Sequence, residues 1–343
     1  MASTEAAEPA PSSKGRRSSG MWRGLRSPKI VVGLVIVAIF VLVAIFGPLF
    51  VSQNPSAMTT AVLAPPSGHH LLGTTQTGQD IFAQLIIGTR VSMLVGFISA
   101  IIATFLALLI GLAAGYLGGV ADEVLSALAN IFLVIPGLPL VIVLAGYLPS
   151  KGSLSVAVVI AVTGWAWGSR VLRAQTLSIA RRDFIQAARA SGERPLRIIF
   201  AEILPNQLAI VAAGFLGTVI YAILTQASLA FLGLSDVSTW SWGTILYWAE
   251  NNQALEIGAW WWFVPPGLAI AVIGTGLTLV NFGIDEFVNP RLRVAGIGTK
   301  AWGKAMRKNA LRPGATGDRP GGSAHWQPKP AFTPVARAGE AAK

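Results

Sequence analysis

The sequence of 343 residues contains no cysteine and has few charged residues. The absence of cysteine excludes disulfides, thiolate metal sites and a cysteine nucleophile. Only 12% of the residues are charged, against about 25% in soluble domains, and 53% are hydrophobic. We therefore expect a lipid bilayer to surround most of this chain.

Long apolar runs account for this composition. The first, 30–51, has 22 residues and no charge, and a helix of about 20 residues crosses the hydrocarbon layer. Its length and the poor cleavage site after it favour an uncleaved helix over a signal peptide. The other runs are 91–119, 124–147, 153–169, 207–234 and 261–284. The sequence predicts an all-α polytopic membrane protein with six transmembrane helices.

The runs divide the chain into five predicted regions. They are a disordered cytoplasmic head at 1–27, a first transmembrane helix at 28–52, an external loop with a short helix at 53–90, a five-helix core at 91–293 with a cytoplasmic loop at 170–205, and a disordered basic cytoplasmic tail at 294–343.

Positive charge predicts the orientation of the chain. Of the 26 Lys and Arg residues, 24 lie before residue 30, between Arg170 and Arg197, or from Arg291 onward. Cytoplasmic segments carry such an excess, so we expect both termini in the cytoplasm. Because these residues flank apolar runs, the membrane explains the net charge of +11 better than nucleic acid does.

The six runs contain no Asp, Glu, Lys or Arg. Ion-coupled carriers commonly use such side chains within the membrane, so their absence argues against a stand-alone secondary carrier. The chain also lacks the G-x-x-x-x-G-K-[ST] loop that cradles ATP phosphates. No carboxylate pair, nucleophile–base set or metal cluster indicates an enzyme. Uphill transport by this chain therefore requires energy from another protein.

The longest cytoplasmic segment between runs predicts a short helix. The stretch Arg181–Gly192 ends in glycine, and Asp183 is expected to cap its first turn. Phe184, Ala188 and Ser191 would share one face. By itself, the pattern fits an amphipathic connector on the membrane surface equally well.

The spacing within this segment resembles the EAA loop of ABC importer permeases. The residues that carry the resemblance are Gln186, Ala187, Ala188, Gly192, Leu204 and Pro205. In that family the loop forms a coupling helix that sits in a cleft of the cytoplasmic ATPase. Small Ala187 and Ala188 allow close approach, Gly192 permits a sharp turn and Pro205 starts a new helix. Gln186 stands where the family usually has Glu, so the charge is absent here.

Three further stretches are similar to dipeptide, oligopeptide and nickel permeases. His70–Asp80 resembles their H-x-L-G-T-D-x-x-G-R-D segment. Leu229–Leu234 with Ser241–Gly243 resembles L-S-F-L-G-L and S-W-G, and Asn289–Arg293 resembles D-P-R-L-R. The order of these matches and the extra first helix resemble the C-type subunit of the permease pair.

The resemblance implies a type I ABC importer permease fold in the plasma membrane. The implied partners are a second permease subunit in a heterodimer, two ATPase domains and an external solute-binding protein, besides membrane lipid. ATP and Mg²⁺ would be bound by the ATPase subunits, so no cofactor is expected in this chain. Peptides are the expected solute, and oligosaccharides and nickel remain alternatives.

Two polar residues within the runs are candidates for the solute path. Gln226 and Asn281 can line the path or hydrogen-bond a neighbouring helix, and both interpretations remain open. His69 and His70 are not expected to bind a metal, because adjacent residues do not face one site.

Small residues and prolines within the runs predict local geometry. Gly111, Gly115 and Gly119 recur every four residues, which predicts internal close packing. Pro136 and Pro139 interrupt the third run. Helix ends or static kinks are the expected result, and hinges are the alternative.

Overall fold

The structure is a computed structural model that describes residues 28–51 and 53–288. The predicted head at 1–27, the tail at 294–343 and the motif at 289–293 lie outside these residues.

The described residues form helices joined by loops, without a β-strand, so the all-α prediction is confirmed. The helices are α1 (Pro28–Phe50), α2 (Ile81–Leu117), α3 (Gly119–Val134), α4 (Gly137–Gly146), α5 (Ser153–Ala180), α6 (Asp183–Ala190), α7 (Pro195–Phe231), α8 (Trp242–Asn251) and α9 (Trp260–Val288). Within α7, the segment Ile198–Ile203 is π-helical.

Five of these helices, α1, α2, α5, α7 and α9, are long and apolar enough to cross a membrane. The third predicted span consists of two helices, α3 and α4, which meet at an angle of 89°. Ile135 between them has the extended backbone (φ −75°, ψ 127°) that a following proline favours. Pro136 therefore breaks the span, and six spans are present in the described part of the chain only if this bent pair counts as one.

Helices α2, α5 and α7 extend beyond their apolar runs. Helix α2 begins at Ile81, ten residues earlier than predicted, so its first turns occupy the place of the short helix expected in 53–90. Asp80 caps it by accepting a hydrogen bond from the Ala83 N–H at 2.8 Å. Helix α5 has 28 residues, a length of about 42 Å, which exceeds a hydrocarbon core of about 30 Å.

The loop before α2 is fixed by polar contacts to its neighbours. His70 Nδ1 lies 2.8 Å from Asp80 Oδ2, which joins the loop to the residue that caps α2. The Trp240 indole N–H donates to Ser56 Oγ at 2.9 Å, and the Trp261 indole N–H donates to the Thr74 carbonyl at 3.3 Å. These bonds connect the loop to the ends of α8 and α9.

Close backbone approach between α2 and α5 forms the centre of the molecule. A Cβ atom at Gly111 would lie 2.6 Å from the Ser169 carbonyl oxygen. Ser99 Oγ donates to the Ala157 carbonyl at 3.0 Å, further along the same pair of helices. Gly111 and Gly115 therefore have the internal packing role that the sequence predicts, whereas Gly119 faces open space.

Replacing Gly115 by Ala should destabilise the protein. The new Cβ would lie 2.6 Å from Thr176 Cβ and 2.8 Å from the Arg173 carbonyl oxygen. Such overpacking costs about 1–3 kcal/mol, so we expect a lower Tm in detergent. Gly146→Ala is the matched control, because nothing lies within 4 Å of its added Cβ. Equal Tm values for the two variants would contradict the packing assigned to α2 and α5.

Candidate functional site

The short helix predicted within Arg181–Gly192 is present as α6, eight residues long, between two transmembrane helices. Its N-cap position is Arg182, and no side chain caps the first turn. Asp183 is instead the first residue of the helix, so the prediction that its side chain acts as the cap is wrong. A carboxylate in the first turn still stabilises α6 through the helix dipole.

The inner face of α6 differs from the predicted one. Ile185 is fully buried and Ala188 packs beside it, whereas the Phe184 side chain is 41% exposed. Ile185 lies in a cluster with Leu112, Ile179, Ile198, Ile199 and Ile203. These residues come from α2, α5 and α7, so one side chain of α6 packs into a cluster formed near the ends of three long helices. Burying an isoleucine contributes about 1.5–3 kcal/mol.

Gln186 provides a second attachment of α6. Its Nε2 atom donates a hydrogen bond to the Ala180 carbonyl at 2.9 Å. Ala180 is the last residue of α5, where helical carbonyls lack an intrahelical donor. An ionised Glu has no donor for this bond, so the substitution of Gln for Glu has a structural consequence. The neighbouring Ala187 is exposed and lies on the free face of α6.

Gly192 ends α6 in a Schellman motif. Its N–H donates to the Arg189 carbonyl at 3.0 Å, and the Glu193 N–H donates to the Ala188 carbonyl at 3.2 Å. Gly192 has a φ of 76°, in the left-handed region, and nothing lies within 4 Å of an added Cβ. The backbone conformation, and not space, therefore requires glycine at this position.

Leu204 and Pro205 lie within a helix that has already begun. Pro205 lies at the start of the α-helical segment Leu204–Phe231, as predicted, but this segment continues helix α7, which begins at Pro195, ten residues earlier. The preceding turn, Ile198–Ile203, is π-helical. A wider turn accommodates a proline ring that an α-helical turn would bring against a carbonyl. Leu204 packs against the cluster around Ile185.

A cavity of about 550 Å³ lies beside the break between α3 and α4. Its lining comes from α3, the start of α4, and helices α5, α7 and α9. The polar lining residues are Thr163, Thr218, Tyr221 and Asn281, and no lining residue is charged. The Oδ1 atom of Asn281 is buried without a hydrogen-bond partner in the structure. The cavity therefore offers neutral hydrogen-bonding groups within an apolar wall.

Gln226 lies outside this cavity, so the structure does not bring the two candidate path residues together. Its side chain is 3% exposed, and its Nε2 donates to Ser241 Oγ at 3.2 Å. Ser241 caps α8, and the Trp242 N–H donates to Ser92 Oγ at 3.1 Å. Gln226 thus belongs to a buried polar network that joins α2, α7 and α8. Of the two interpretations of Gln226, hydrogen bonding to a neighbouring helix is the one that matches these contacts.

Sequence reasoning missed two contacts near the coupling loop. Arg173 makes a bidentate ion pair with Asp122, at 2.5 and 2.6 Å. The Arg189 guanidinium carbon lies 4.5 Å from the centre of the Tyr116 ring. The opposite charges of Asp122 and Arg173 were visible in the sequence. Without the helix packing, however, no pattern indicated which of the many arginines would pair.

Comparison with known proteins identifies the family. The family described as "Binding-protein-dependent transport system inner membrane component" matches residues 107–294, which include α6 and the cavity. This chain belongs to that family. Residues 19–66 match a second description, "N-terminal TM domain of oligopeptide transport permease C". The resemblance seen in the sequence is thereby confirmed, and the chain is a multi-pass membrane protein of a transport family.

Relatives match this permease over most of their length. It is 32% identical over 287 residues to the oligopeptide transport system permease protein OppC of Bacillus subtilis, covering 81% of this chain and 92% of that protein. It is 36% identical over 274 residues to the dipeptide transport system permease protein DppC of Alkalihalophilus pseudofirmus, covering 77% and 86%. A chain of the methionine ABC transporter MetNI in an inward-facing conformation aligns with a TM-score of 0.47 and 22% identity, covering 60% of this permease and 94% of that chain.

Replacing Gln186 by Glu should loosen α6. The carboxylate cannot donate to the Ala180 carbonyl and would place negative charge beside it. We expect faster amide hydrogen exchange across 183–190 in the purified permease, by about five- to tenfold for a lost hydrogen bond of about 1 kcal/mol. Asn206→Asp is the matched control, because its amide donates to the Glu202 carbonyl in α7 instead. Unchanged exchange in Gln186→Glu would show that this bond does not hold α6.

Proposed function

We propose that this chain is the C-type membrane-spanning subunit of an ATP-driven importer of peptides. The observation that carries the proposal is α6, a short helix attached to the membrane core and exposed on its other face. Ile185 attaches its inner face, while Phe184 and Ala187 lie on the free one. A small exposed helix of this kind can occupy a cleft in a partner and transmit movement to the spans.

The proposal assigns the energy source to other subunits. This chain lacks an ATP-binding loop, so two ATPase domains bind ATP and Mg²⁺, and this subunit has no catalytic role. One ATPase domain receives α6, and the other receives the matching helix of a second permease subunit. An external solute-binding protein delivers the peptide to this heterodimer.

The chemistry of the cavity supports a peptide as the solute. A peptide backbone presents N–H and C=O groups along its length, and the Asn281 amide and Tyr221 hydroxyl can pair with either. Because no lining residue is charged, neither end of a peptide meets a strong ionic contact. Such a surface permits passage without tight retention. The relatives named for oligopeptide and dipeptide transport support the same solute class.

The proposed orientation places α6 and both termini in the cytoplasm of a cell whose plasma membrane holds the protein. Arg181, Arg182 and Arg194 are exposed around α6, as the positive-inside rule requires. The loop with His70 and the tryptophan-rich segment from Trp240 then face outward. Tryptophans are enriched at membrane interfaces, which supports this assignment.

Reconstitution tests the proposal directly. This chain is co-expressed with its neighbouring transporter subunits, purified and placed in vesicles containing ATP. Radiolabelled di- and oligopeptides are offered with the binding protein outside, and we expect uptake that requires both ATP and the binding protein. An oligosaccharide and Ni²⁺ are offered in parallel. Uptake of either one without peptide uptake would replace the solute assignment, and uptake by this chain alone would support a stand-alone carrier.

Replacing Gly192 by Val should uncouple transport without removing the protein from the membrane. A β-branched residue at a φ of 76° costs about 1–2 kcal/mol and disfavours the turn that ends α6. We expect peptide uptake per ATP hydrolysed to fall several-fold, measured in the same vesicles. Gly192→Asn is the control, because Asn tolerates the left-handed region and should retain most uptake. Normal uptake by the Val variant would contradict the role of this turn.

A further inference from the structure

We infer that the contact between Arg189 and Tyr116 transmits movement of α6 to the cavity through helix α3. This inference rests on the proposed function, in which α6 is the coupling helix. It assigns a positioning role to two residues that neither the sequence motifs nor the comparisons single out.

The first step is the contact itself. Arg189 lies in the last turn of α6, and its guanidinium is 4.5 Å from the centre of the Tyr116 ring. That distance is within the range of a cation–π interaction. Tyr116 lies in the last turn of α2 and packs against the cluster that holds Ile185. The end of α2 therefore contacts α6 through both an apolar and a cationic group.

The second step is a flexible corner directly after Tyr116. Gly118 and Gly119 join α2 to α3, with φ values of 68° and 54°. Nothing lies within 4 Å of an added Cβ at either glycine. Two successive glycines in open space can change their dihedral angles without steric cost. Helix α3 can therefore change its angle to α2 at this corner.

The third step is the attachment of α3 along α5. Asp122, in the first turn of α3, forms the bidentate pair with Arg173 and also accepts a hydrogen bond from Ser126 at 2.9 Å. Near the other end, the rings of Phe132 and Trp165 have centroids 5.4 Å apart. These contacts hold both ends of α3 beside α5.

The fourth step is the far end of α3. Phe132, Leu133 and Ile135 line the cavity, directly before the break at Pro136. Helix α3 has 16 residues and a length of about 24 Å. One rigid element thus extends from the corner beside Arg189 to the cavity wall. Only Leu117 and Gly118 separate Tyr116 from α3, so a displacement of Tyr116 by α6 would move the start of α3 and, through this helix, Ile135.

A double-mutant cycle tests the inference in the reconstituted, assembled transporter. The variants are Tyr116→Leu, Arg189→Gln and the combination of both, and the readout is peptide transported per ATP hydrolysed. Each single variant should lower this ratio about two- to fivefold, as expected for loss of an exposed cation–π contact. The double variant should lower the ratio no further than the more severe of the two single variants, because both changes remove the same interaction.

Conservative variants separate this role from a general loss of structure. Tyr116→Phe keeps the ring and Arg189→Lys keeps the positive charge, so both should retain most of the wild-type ratio. Tyr147→Leu is the control for the change of residue type, because Tyr147 lies exposed in the loop after α4. If Tyr116→Leu lowers the amount of protein in the membrane, the transport ratio of Arg189→Gln decides the result, because Arg189 is exposed and its replacement should not affect folding.

The outcomes distinguish the inference from the function on which it rests. Additive losses in the double variant, or a wild-type ratio in both single variants, would overturn the relay while leaving the importer intact. Absence of peptide-dependent ATP hydrolysis with the wild-type chain would overturn both the proposed function and the relay.

Discussion

The burial of Ile185 holds α6 against the membrane core and so sets where a partner can meet this chain. It places the only inward-facing large side chain of a short helix among residues from α2, α5 and α7. An eight-residue helix has little stability of its own. Its position is therefore set by tertiary packing, supported by the Gln186 bond to Ala180. Without that packing, the Gln186 bond to Ala180 and the Arg189 contact with Tyr116 would remain to hold α6.

The membrane imposes a second constraint, because it permits few charges inside the spans. In the described part of the chain, the contacts of charged side chains consequently lie near the ends of helices. At one end, Asp122 pairs with Arg173, and Arg189 lies over Tyr116. At the other, Asp80 caps α2 and contacts His70. Between these layers the cavity has only neutral polar groups. This arrangement concentrates the contacts that can transmit force near α6 and leaves the middle suited to passage.

The sequence predicts features that depend on composition and local spacing, such as the apolar runs, the loop helix and its end at Gly192. It does not predict features that depend on packing between distant segments. The helical period alone favours Phe184 for the inner face of α6. In an eight-residue helix several residues satisfy that period, and only the neighbouring helices select Ile185. Gln226 and Asn281 looked equivalent, since both are lone amides in apolar helices. Their different surroundings come from α8 and α3, which approach them only in the folded chain.

A distance measurement on the assembled transporter tests most directly whether movement of α6 moves α3. The chain contains no cysteine, so spin labels attached at Arg182→Cys beside α6, Ile131→Cys and Leu268→Cys meet no background from this subunit. Distances are measured without nucleotide and with ATP under conditions that block hydrolysis. If movement of α6 tilts α3 at the corner after Tyr116, the distance from Ile131 in α3 to Leu268 in α9 changes when ATP binds, and the distance from α6 to Ile131 changes with it. A distance from Ile131 to Leu268 that stays constant while α6 moves away from α3 would contradict the relay through α3.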